Sequence, residues 1–185
     1  MVDVPWTLLD QCHGVEVREV VYPGHRDRSS GDVTVTGLTD AVLGCWAADC
    51  APVVVVGVGT RVAVAHAGWR GLAAGVIGEA VRHLGEPVAA VVLGPVIGPC
   101  CYEFGADDVA AIARSLGLPT DVVTGRTAWG TTSLDVPGIV AAVADSYAAP
   151  LFRLGGCTGC TYPGFSHRRR HDEGRHVVAA WQVAS

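Results

Sequence analysis

Polar and apolar residues alternate near the start of the chain, where Val15 and Val17 are interleaved with charged residues. This period of two predicts a half-buried β-strand. His13 shares the parity of the two valines, so we expect its side chain to point inward with theirs. A polar, turn-rich stretch over 23–31 then predicts a loop before a short strand over 32–36.

A β-hairpin is predicted where two apolar, largely β-branched runs, 53–56 and 61–65, flank a glycine-containing loop. If residues 57–59 form a three-residue loop, counting outward places Cys50 directly opposite His66. Directly opposed residues have Cβ atoms about 4.5–5.5 Å apart, which is close enough to share a metal ion or a proton.

The rest of the chain mixes helical and strand patterns without strict alternation. Helices are predicted over 72–84, 104–116 and 134–147, and strands over 88–93 and 177–181. This mixture predicts an α+β fold. Domains average about 150 residues, and no linker composition interrupts this chain, so we expect a single domain over residues 1–185.

Composition narrows the classes of function. Half of the residues are hydrophobic and 17% are charged, which excludes intrinsic disorder. The formal net charge is −5 and all 13 basic residues are Arg, so we expect no nucleic-acid partner. Any bound anion must be held by nearby arginines or backbone N–H groups. No apolar run reaches the roughly 18 residues that span a bilayer, and no secretory signal is recognisable. We therefore expect a soluble, cytoplasmic protein without a membrane partner.

Seven cysteines in a chain without an export signal favour free thiols or metal ligands over disulfides. Four of them would suit a structural zinc site with four thiolate ligands, namely Cys100, Cys101, Cys157 and Cys160. Adjacent cysteines are awkward ligands, however, so the sequence favours packed or loop thiols at these positions.

The first candidate site consists of His13, Cys50 and His66. Thiolate and imidazole are zinc ligands, and three protein ligands with an open fourth position are typical of catalytic zinc. Zinc lowers the pKa of a bound water to near 7, which supplies a nucleophile. Two alternatives stay open: a metal-free pair with Cys50 as nucleophile and His66 as base, and a buried structural cysteine beside ordinary histidines.

Two arginine-containing segments are candidate anion sites. The stretch 68–71 contains Arg70 near a predicted helix start, where backbone N–H groups and one guanidinium suit phosphate. The alternative is a tight turn that needs glycine for a positive φ. The stretch 166–171 contains three consecutive arginines, of which Arg168 and Arg169 are the better candidates, against a solvated basic loop.

Five stretches of the sequence resemble motifs of the YfiH-type proteins, once described as multicopper polyphenol oxidases or laccase-like proteins. They are Leu9–Gly14, Ala48–Val53, His66–Gly71, Gly98–Glu103 and Phe165–Arg169, the last followed by Gly174 and Arg175. The resemblance implies a mixed β-sheet or sandwich flanked by helices, similar to the catalytic domain of cytotoxic necrotizing factor. Family members usually carry a further strand and helix region before the first motif, so we expect this chain to lack that extension.

The resemblance also implies a function. The zinc ligands of the YfiH-type proteins correspond to His13, Cys50 and His66 of this chain. The reactions that the resemblance implies are phosphorolysis of adenosine, inosine and methylthioadenosine, together with deamination of adenosine. We expect a purine nucleoside and phosphate as partners, with phosphate held by Arg70, Arg168 and Arg169. The alternatives are a copper-dependent phenol oxidase and a non-catalytic module that binds metal or nucleotide. Seven histidines are few for a multicopper enzyme.

Overall fold

The computed structural model describes residues 5–25 and 29–183. Its strands are β1 (Trp6–Thr7), β2 (Val17–Glu19), β3 (Val33–Thr36), β4 (Val42–Ala47), β5 (Ala51–Gly57), β6 (Val62–Ala67), β7 (Val88–Leu93), β8 (Thr124–Arg126), β9 (Thr132–Leu134), β10 (Leu151–Arg153) and β11 (His176–Trp181). Its helices are α1 (Trp69–Ala73), α2 (Val76–Leu84), α3 (Ala106–Leu116), α4 (Thr120–Val123), α5 (Val136–Ser146) and α6 (His167–Arg170).

Six strands form one mixed sheet in the order β10-β7-β5-β6-β3-β2. The two outermost pairs are parallel, whereas the pairs between β7, β5, β6 and β3 are antiparallel. β8 and β9 form a separate two-stranded sheet. Antiparallel neighbours run in opposite directions, so the starts of β2, β3 and β5 lie at the same end of the large sheet as the ends of β6, β7 and β10.

The large sheet is covered on both faces. On one face, alternate residues such as Val53 and Val55 join Leu84 and Ile139 of the flanking helices in the main core. On the other face, Val54 packs in a smaller core with residues of the three-stranded sheet β1-β4-β11. Strands buried on both faces are continuously apolar, which explains the unbroken valine run of β5. The predicted mixed sheet and sandwich with flanking helices is therefore confirmed, whereas the likeness to cytotoxic necrotizing factor stays a prediction.

The hairpin between β5 and β6 forms as predicted, but its predicted register is wrong by two residues. His66 pairs with Pro52, and Gly57 still belongs to the ladder, its N–H donating to the carbonyl of Arg61 at 3.0 Å. The loop is centred one residue later in the chain than predicted. The reason is the carboxylate of Glu86, which accepts hydrogen bonds from the N–H groups of Gly59 and Arg61. A shift of two preserves the parity of each side chain, so the predicted faces are retained.

Several other elements differ from their predicted bounds. The predicted helix over 72–84 is two helices, α1 and α2, separated by Gly75 in the left-handed conformation (φ 86°). The strand over 88–93 matches β7, and the helices over 104–116 and 134–147 contain α3 and α5. The strands β1, β4, β8, β9 and β10 were not predicted, and all of them except the six-residue β4 have two or three residues. Within the described residues, no helix combines the length and apolar character required to cross a membrane. Residues 26–28 of the predicted loop lie outside the described part of the chain.

Candidate active site

His13, Cys50 and His66 come together at one end of the large sheet. Their ligand atoms all lie within 4.8 Å of one another. Cys50 precedes β5, His66 is the penultimate residue of β6, and His13 lies in the segment before β2. The Nε2 atom of His13 is 3.7 Å from the Sγ of Cys50, and the two imidazole rings pack edge to face with centroids 4.7 Å apart. The structure thus assembles a set of one sulfur and two nitrogen donors.

The prediction that His13 points inward from a strand is wrong. His13 is exposed, with a positive φ of 62°, and β2 begins only at Val17. The cause is Asp32, whose carboxylate accepts the backbone N–H groups of Cys12, His13 and Gly14 at 3.3, 3.0 and 2.6 Å. These bonds fold the segment into a bend, and the bend directs the imidazole toward Cys50.

Asp32 also orients His66. Its Oδ1 lies 2.7 Å from Nδ1 of His66, and both side chains are almost fully buried. A carboxylate accepts hydrogen bonds, so this contact fixes the proton of the neutral ring on Nδ1, and Nε2 is then the nitrogen whose lone pair would bind a metal ion. Burial alone would raise the pKa of Asp32, but the hydrogen bonds from His66, Cys12 and the backbone lower it below its usual range.

The donor groups influence each other's protonation. Burial acts to raise the pKa of Cys50, but its contacts with the imidazoles of His13 and His66 lower that pKa to about 7. Burial acts to lower the pKa of His66, but Asp32 and Cys50 raise it to about 9. Without a metal ion, a thiolate beside an imidazolium is therefore favoured near pH 8. This donor set fits a divalent ion, because zinc and copper both accept thiolate and imidazole ligands.

Gly68 is required at this site for its lack of a side chain. A Cβ there would lie 2.7 Å from Cδ2 of His13 and 3.1 Å from Sγ of Cys50. Its φ is −69°, so the expected need for a positive φ is not the reason for the glycine. The glycine instead allows His13 and Cys50 to approach the backbone where β6 turns into α1.

A cleft of about 710 Å³ opens above the three donors. Arg70 and Arg168 line it, with Trp69 and Tyr102 among the aromatic residues. The guanidinium of Arg168 lies 4.9 Å from the centre of the Tyr102 ring, and burial raises the pKa of that tyrosine to about 12. The cleft therefore combines metal-ligand donors, two of the predicted anion-binding arginines and flat apolar surfaces.

The third predicted anion-binding residue lies elsewhere. Arg169 is not among the residues that line the cleft, and its guanidinium lies over the ring of Trp129 at 4.7 Å. The reason is local: 167–170 form the short helix α6, so Arg168 and Arg169 point in different directions. Arg175, which belongs to the last family motif but was not predicted as a site residue, also lines the cleft. Its guanidinium donates hydrogen bonds to three carbonyl groups of its own loop.

Asp49, Tyr102 and Asp32 are among the site residues that the sequence did not predict. Asp49 adjoins Cys50 in one family motif and Tyr102 lies in another, so their positions beside candidate residues were the available signal. Asp32 had no comparable signal, because an aspartate before a strand is ordinary in sequence. Its importance follows only from the pairing of β3 with β6, through which the carbonyl of Asp32 also accepts the N–H of His66 at 2.7 Å.

Comparison with known proteins gives consistent matches over nearly the whole chain. A sequence model of the family described as "Multi-copper polyphenol oxidoreductase laccase" matches residues 1–183. A protein of Xylella fastidiosa (strain 9a5c) named purine nucleoside phosphorylase is 34% identical over 189 residues, covering 94% of this chain and 70% of the relative. A Pseudomonas aeruginosa protein with the same designation is 35% identical over 190 residues, covering 94% and 72%.

Solved structures agree with these matches. The Neisseria meningitidis protein NMB0706 is similar with a TM-score of 0.85 and 25% identity, covering 99% of this chain and 77% of that one. YlmD from Geobacillus stearothermophilus has a TM-score of 0.80 and 28% identity, covering 97% and 74%.

Proposed function

Since this chain belongs to the family described as multi-copper polyphenol oxidoreductase laccase, we propose that it catalyses the phosphorolysis of purine nucleosides. The membership confirms the resemblance to YfiH-type proteins, and the two curated relatives named above support the reaction. The observation that carries the proposal is the cleft, in which Arg70 and Arg168 lie beside the donors His13, Cys50 and His66.

Phosphorolysis requires a phosphate held next to the anomeric carbon of a ribose. A phosphate oxygen attacks C1′, the bond from C1′ to N9 of the purine breaks, and the purine leaves with the bonding electrons. Arg70 and Arg168 are suited to hold the phosphate, because guanidinium groups make charge-assisted hydrogen bonds to its oxygens. Trp69, which is only partly buried in the wall of the cleft, offers an aromatic surface against which a purine can pack.

Zinc is the proposed metal, with His13, Cys50 and His66 as its ligands. A bound zinc ion supplies a Lewis acid and one open coordination position. In the neutral ring of His66, Asp32 holds the proton on Nδ1, so Nε2 is the nitrogen that would bind the ion, and the lowered pKa of Cys50 favours the thiolate form that a metal requires. Copper also accepts these donors, so metal analysis of the purified protein decides: zinc at about one or two atoms per chain supports the proposal, and several copper atoms contradict it.

We propose adenosine, inosine and methylthioadenosine as substrates, together with hydrolytic deamination of adenosine in the same cleft. In deamination the oxygen of water replaces the exocyclic amine of the purine, and ammonia leaves. Both reactions place the nucleoside in the same cleft, against Trp69. A cytoplasmic location stays a prediction.

The direct test is chromatography of adenosine, inosine and methylthioadenosine incubated with the zinc-loaded protein, with and without phosphate. Free base that appears only with phosphate supports phosphorolysis, and inosine formed from adenosine without phosphate supports deamination. If no product exceeds the no-enzyme control, the result contradicts the proposal and favours a non-catalytic module that binds metal or nucleotide. Oxidation of phenols by copper-loaded protein, with no nucleoside turnover, would establish the oxidase.

The role of Arg70 has a sharper test. We expect Arg70→Ala to raise the apparent KM for phosphate about ten- to hundredfold, since a charge-assisted hydrogen bond contributes about 1.5–3 kcal/mol. Deamination uses no phosphate and should change less than about threefold. Arg82, exposed on α2 and paired with Glu79, provides the control variant Arg82→Ala. Equal losses of both activities in Arg70→Ala would refute this role.

A further inference from the structure

A second cluster of potential metal ligands lies outside the cleft. It consists of four cysteines, here called the cysteine cluster: Cys100, Cys101, Cys157 and Cys160. Their sulfurs all lie within 4.8 Å of one another, and those of Cys100 and Cys160 are 3.6 Å apart. Around a tetrahedral zinc ion with Zn–S distances of about 2.3 Å, sulfurs are about 3.8 Å apart. The spacing is thus close to that of four thiolates around one ion.

The backbone conformation allows two adjacent cysteines to face the same ion. In a strand, the side chains of Cys100 and Cys101 would point in opposite directions. Residues 99–101 instead form a turn, and residues 158–161 form a second turn that faces it. The two turns bring both adjacent sulfurs within 4.8 Å of the other two, so Cys100 and Cys101 can bind the same ion.

The surroundings of the sulfurs also match those of a bound thiolate. The N–H of Gly98 donates to Sγ of Cys157 at 3.1 Å, and hydrogen bonds of this kind orient metal ligands. A Cβ at Gly159 would lie 2.9 Å from Sγ of Cys101 and 2.7 Å from its Cβ. The absence of a side chain there lets the second turn close tightly over the first.

We propose that the cysteine cluster binds one structural zinc ion, separate from any metal held by His13, Cys50 and His66. Binding displaces the thiol protons to solvent, four thiolate–zinc bonds form, and no redox change occurs. The ion would cross-link the loop after β7 to the loop after β10, next to the hydrogen bond from the N–H of Thr158 to the carbonyl of Val96 at 3.1 Å.

Metal content per chain tests the proposal. Protein produced with zinc and kept under reductant should contain two zinc atoms per chain. The double variant Cys157→Ser/Cys160→Ser should contain one, and His13→Ala should also retain one, because each loses a different site. Cobalt-substituted His13→Ala should show the intense thiolate-to-cobalt charge-transfer absorption of a site with four sulfur ligands. A double variant with the same zinc content as the unmodified chain would overturn the proposal, and so would folded His13→Ala protein without zinc.

A measurement on the unmodified chain avoids variants that fail to fold. Cys160 is exposed, so a free thiol there should react quickly with iodoacetamide. With zinc bound, we expect its alkylation to be at least about tenfold slower, and a chelator should restore the fast rate. Equal rates with and without zinc would contradict the proposal. A disulfide between Cys100 and Cys160 in zinc-supplied, reduced protein would contradict it as well.

Discussion

The substitution Asp32→Asn tests how the site is organised. Oδ1 of the carboxylate accepts hydrogen bonds from Nδ1 of His66 and from the N–H of His13. Oδ2 accepts hydrogen bonds from the N–H groups of Gly14 and Cys12. An amide has one accepting oxygen and one donating NH₂ group, so it cannot satisfy both sets. If the NH₂ group faces His66, the ring must accept at Nδ1 and carry its proton on Nε2, where a metal ion would bind.

The magnitude follows from the two orientations of the new amide. With its oxygen toward His66, the N–H groups of Gly14 and Cys12 lose their acceptor, at about 1–3 kcal/mol for each donor that stays buried. With its oxygen toward Gly14, the wrong tautomer of His66 and an unpaired His13 N–H result. Loss of such a carboxylate typically lowers metal affinity 10–100-fold, which is about 1.4–2.7 kcal/mol. We expect both a weaker zinc site and a loss of roughly 2–4 kcal/mol in the free energy of unfolding.

Two assays separate these effects. Zinc affinity is measured by competition with a chelator, and urea denaturation of the metal-free protein measures stability without the contribution of metal binding. The exposed Asp40 supplies the control variant Asp40→Asn. An Asp32→Asn protein that folds and binds zinc within twofold of the unmodified chain would refute the reasoning.

The stability difference should also depend on pH in a defined direction. The folded-state pKa of Asp32 is lowered, so its carboxylate contributes fully above the unfolded-state pKa of about 3.9 and loses that contribution as the pH falls toward the folded value. The difference between the unmodified protein and Asp32→Asn should be largest between about pH 5 and 6.5 and shrink below about pH 4. It should also shrink as the pH rises toward 9, because Asp32 raises the pKa of His66 to about 9 and that stabilisation is lost when the imidazolium loses its proton. A difference that grows below about pH 4, or that stays constant between about pH 6.5 and 10, would contradict the assignment.

Three further predictions concern other parts of the molecule. In metal-free protein, alkylation of Cys50 followed by mass spectrometry should reach half its maximal rate near pH 7, and a midpoint near 9 would contradict the lowered pKa. Ile139 is fully buried in the core, so Ile139→Ala should lower the free energy of unfolding, measured by urea denaturation, by about 2–5 kcal/mol. A loss of less than about 1 kcal/mol would contradict the observed packing. Arg168→Ala should raise the KM for phosphate more than Arg169→Ala, because only Arg168 lines the cleft, and equal effects would contradict this.

Local patterns predicted the elements that bury one or both faces. The strand β7 was predicted with its observed bounds, and the hairpin of β5 and β6 was found because β-branched runs around a glycine loop are a short-range signal. The proximity of Cys50 and His66 followed from that hairpin alone. The two-residue register error came from a distant group, the carboxylate of Glu86, which no hairpin rule includes.

Long-range pairing was not available from periodicity. β1 and β10 have two and three residues, which is too short to leave a periodic pattern. Their places in the sheets depend on parallel pairing with β4 and β7, in the second case across a long insertion. The same limit applied to the cysteine cluster, because the sequence shows two separated pairs and the turns that join them depend on tertiary contacts. Arg169 was predicted beside Arg168 at the anion site, but only Arg168 lines the cleft. A run of arginines in the sequence does not show which member faces the cleft.

Asp49 shows why the donors and the distant loops form one unit. It adjoins Cys50 and has a φ of 106°, a strained conformation that persists only where surrounding contacts impose it. Its carboxylate accepts the hydroxyl of Thr158 and the N–H of Arg168, both at 2.6 Å, and its carbonyl accepts the N–H of Ile97 at 3.0 Å. Thr158 lies between two members of the cysteine cluster. The position of the Cys50 sulfur therefore depends on segments more than 100 residues away, so loosening the cysteine cluster should disturb Arg168 and Cys50 together.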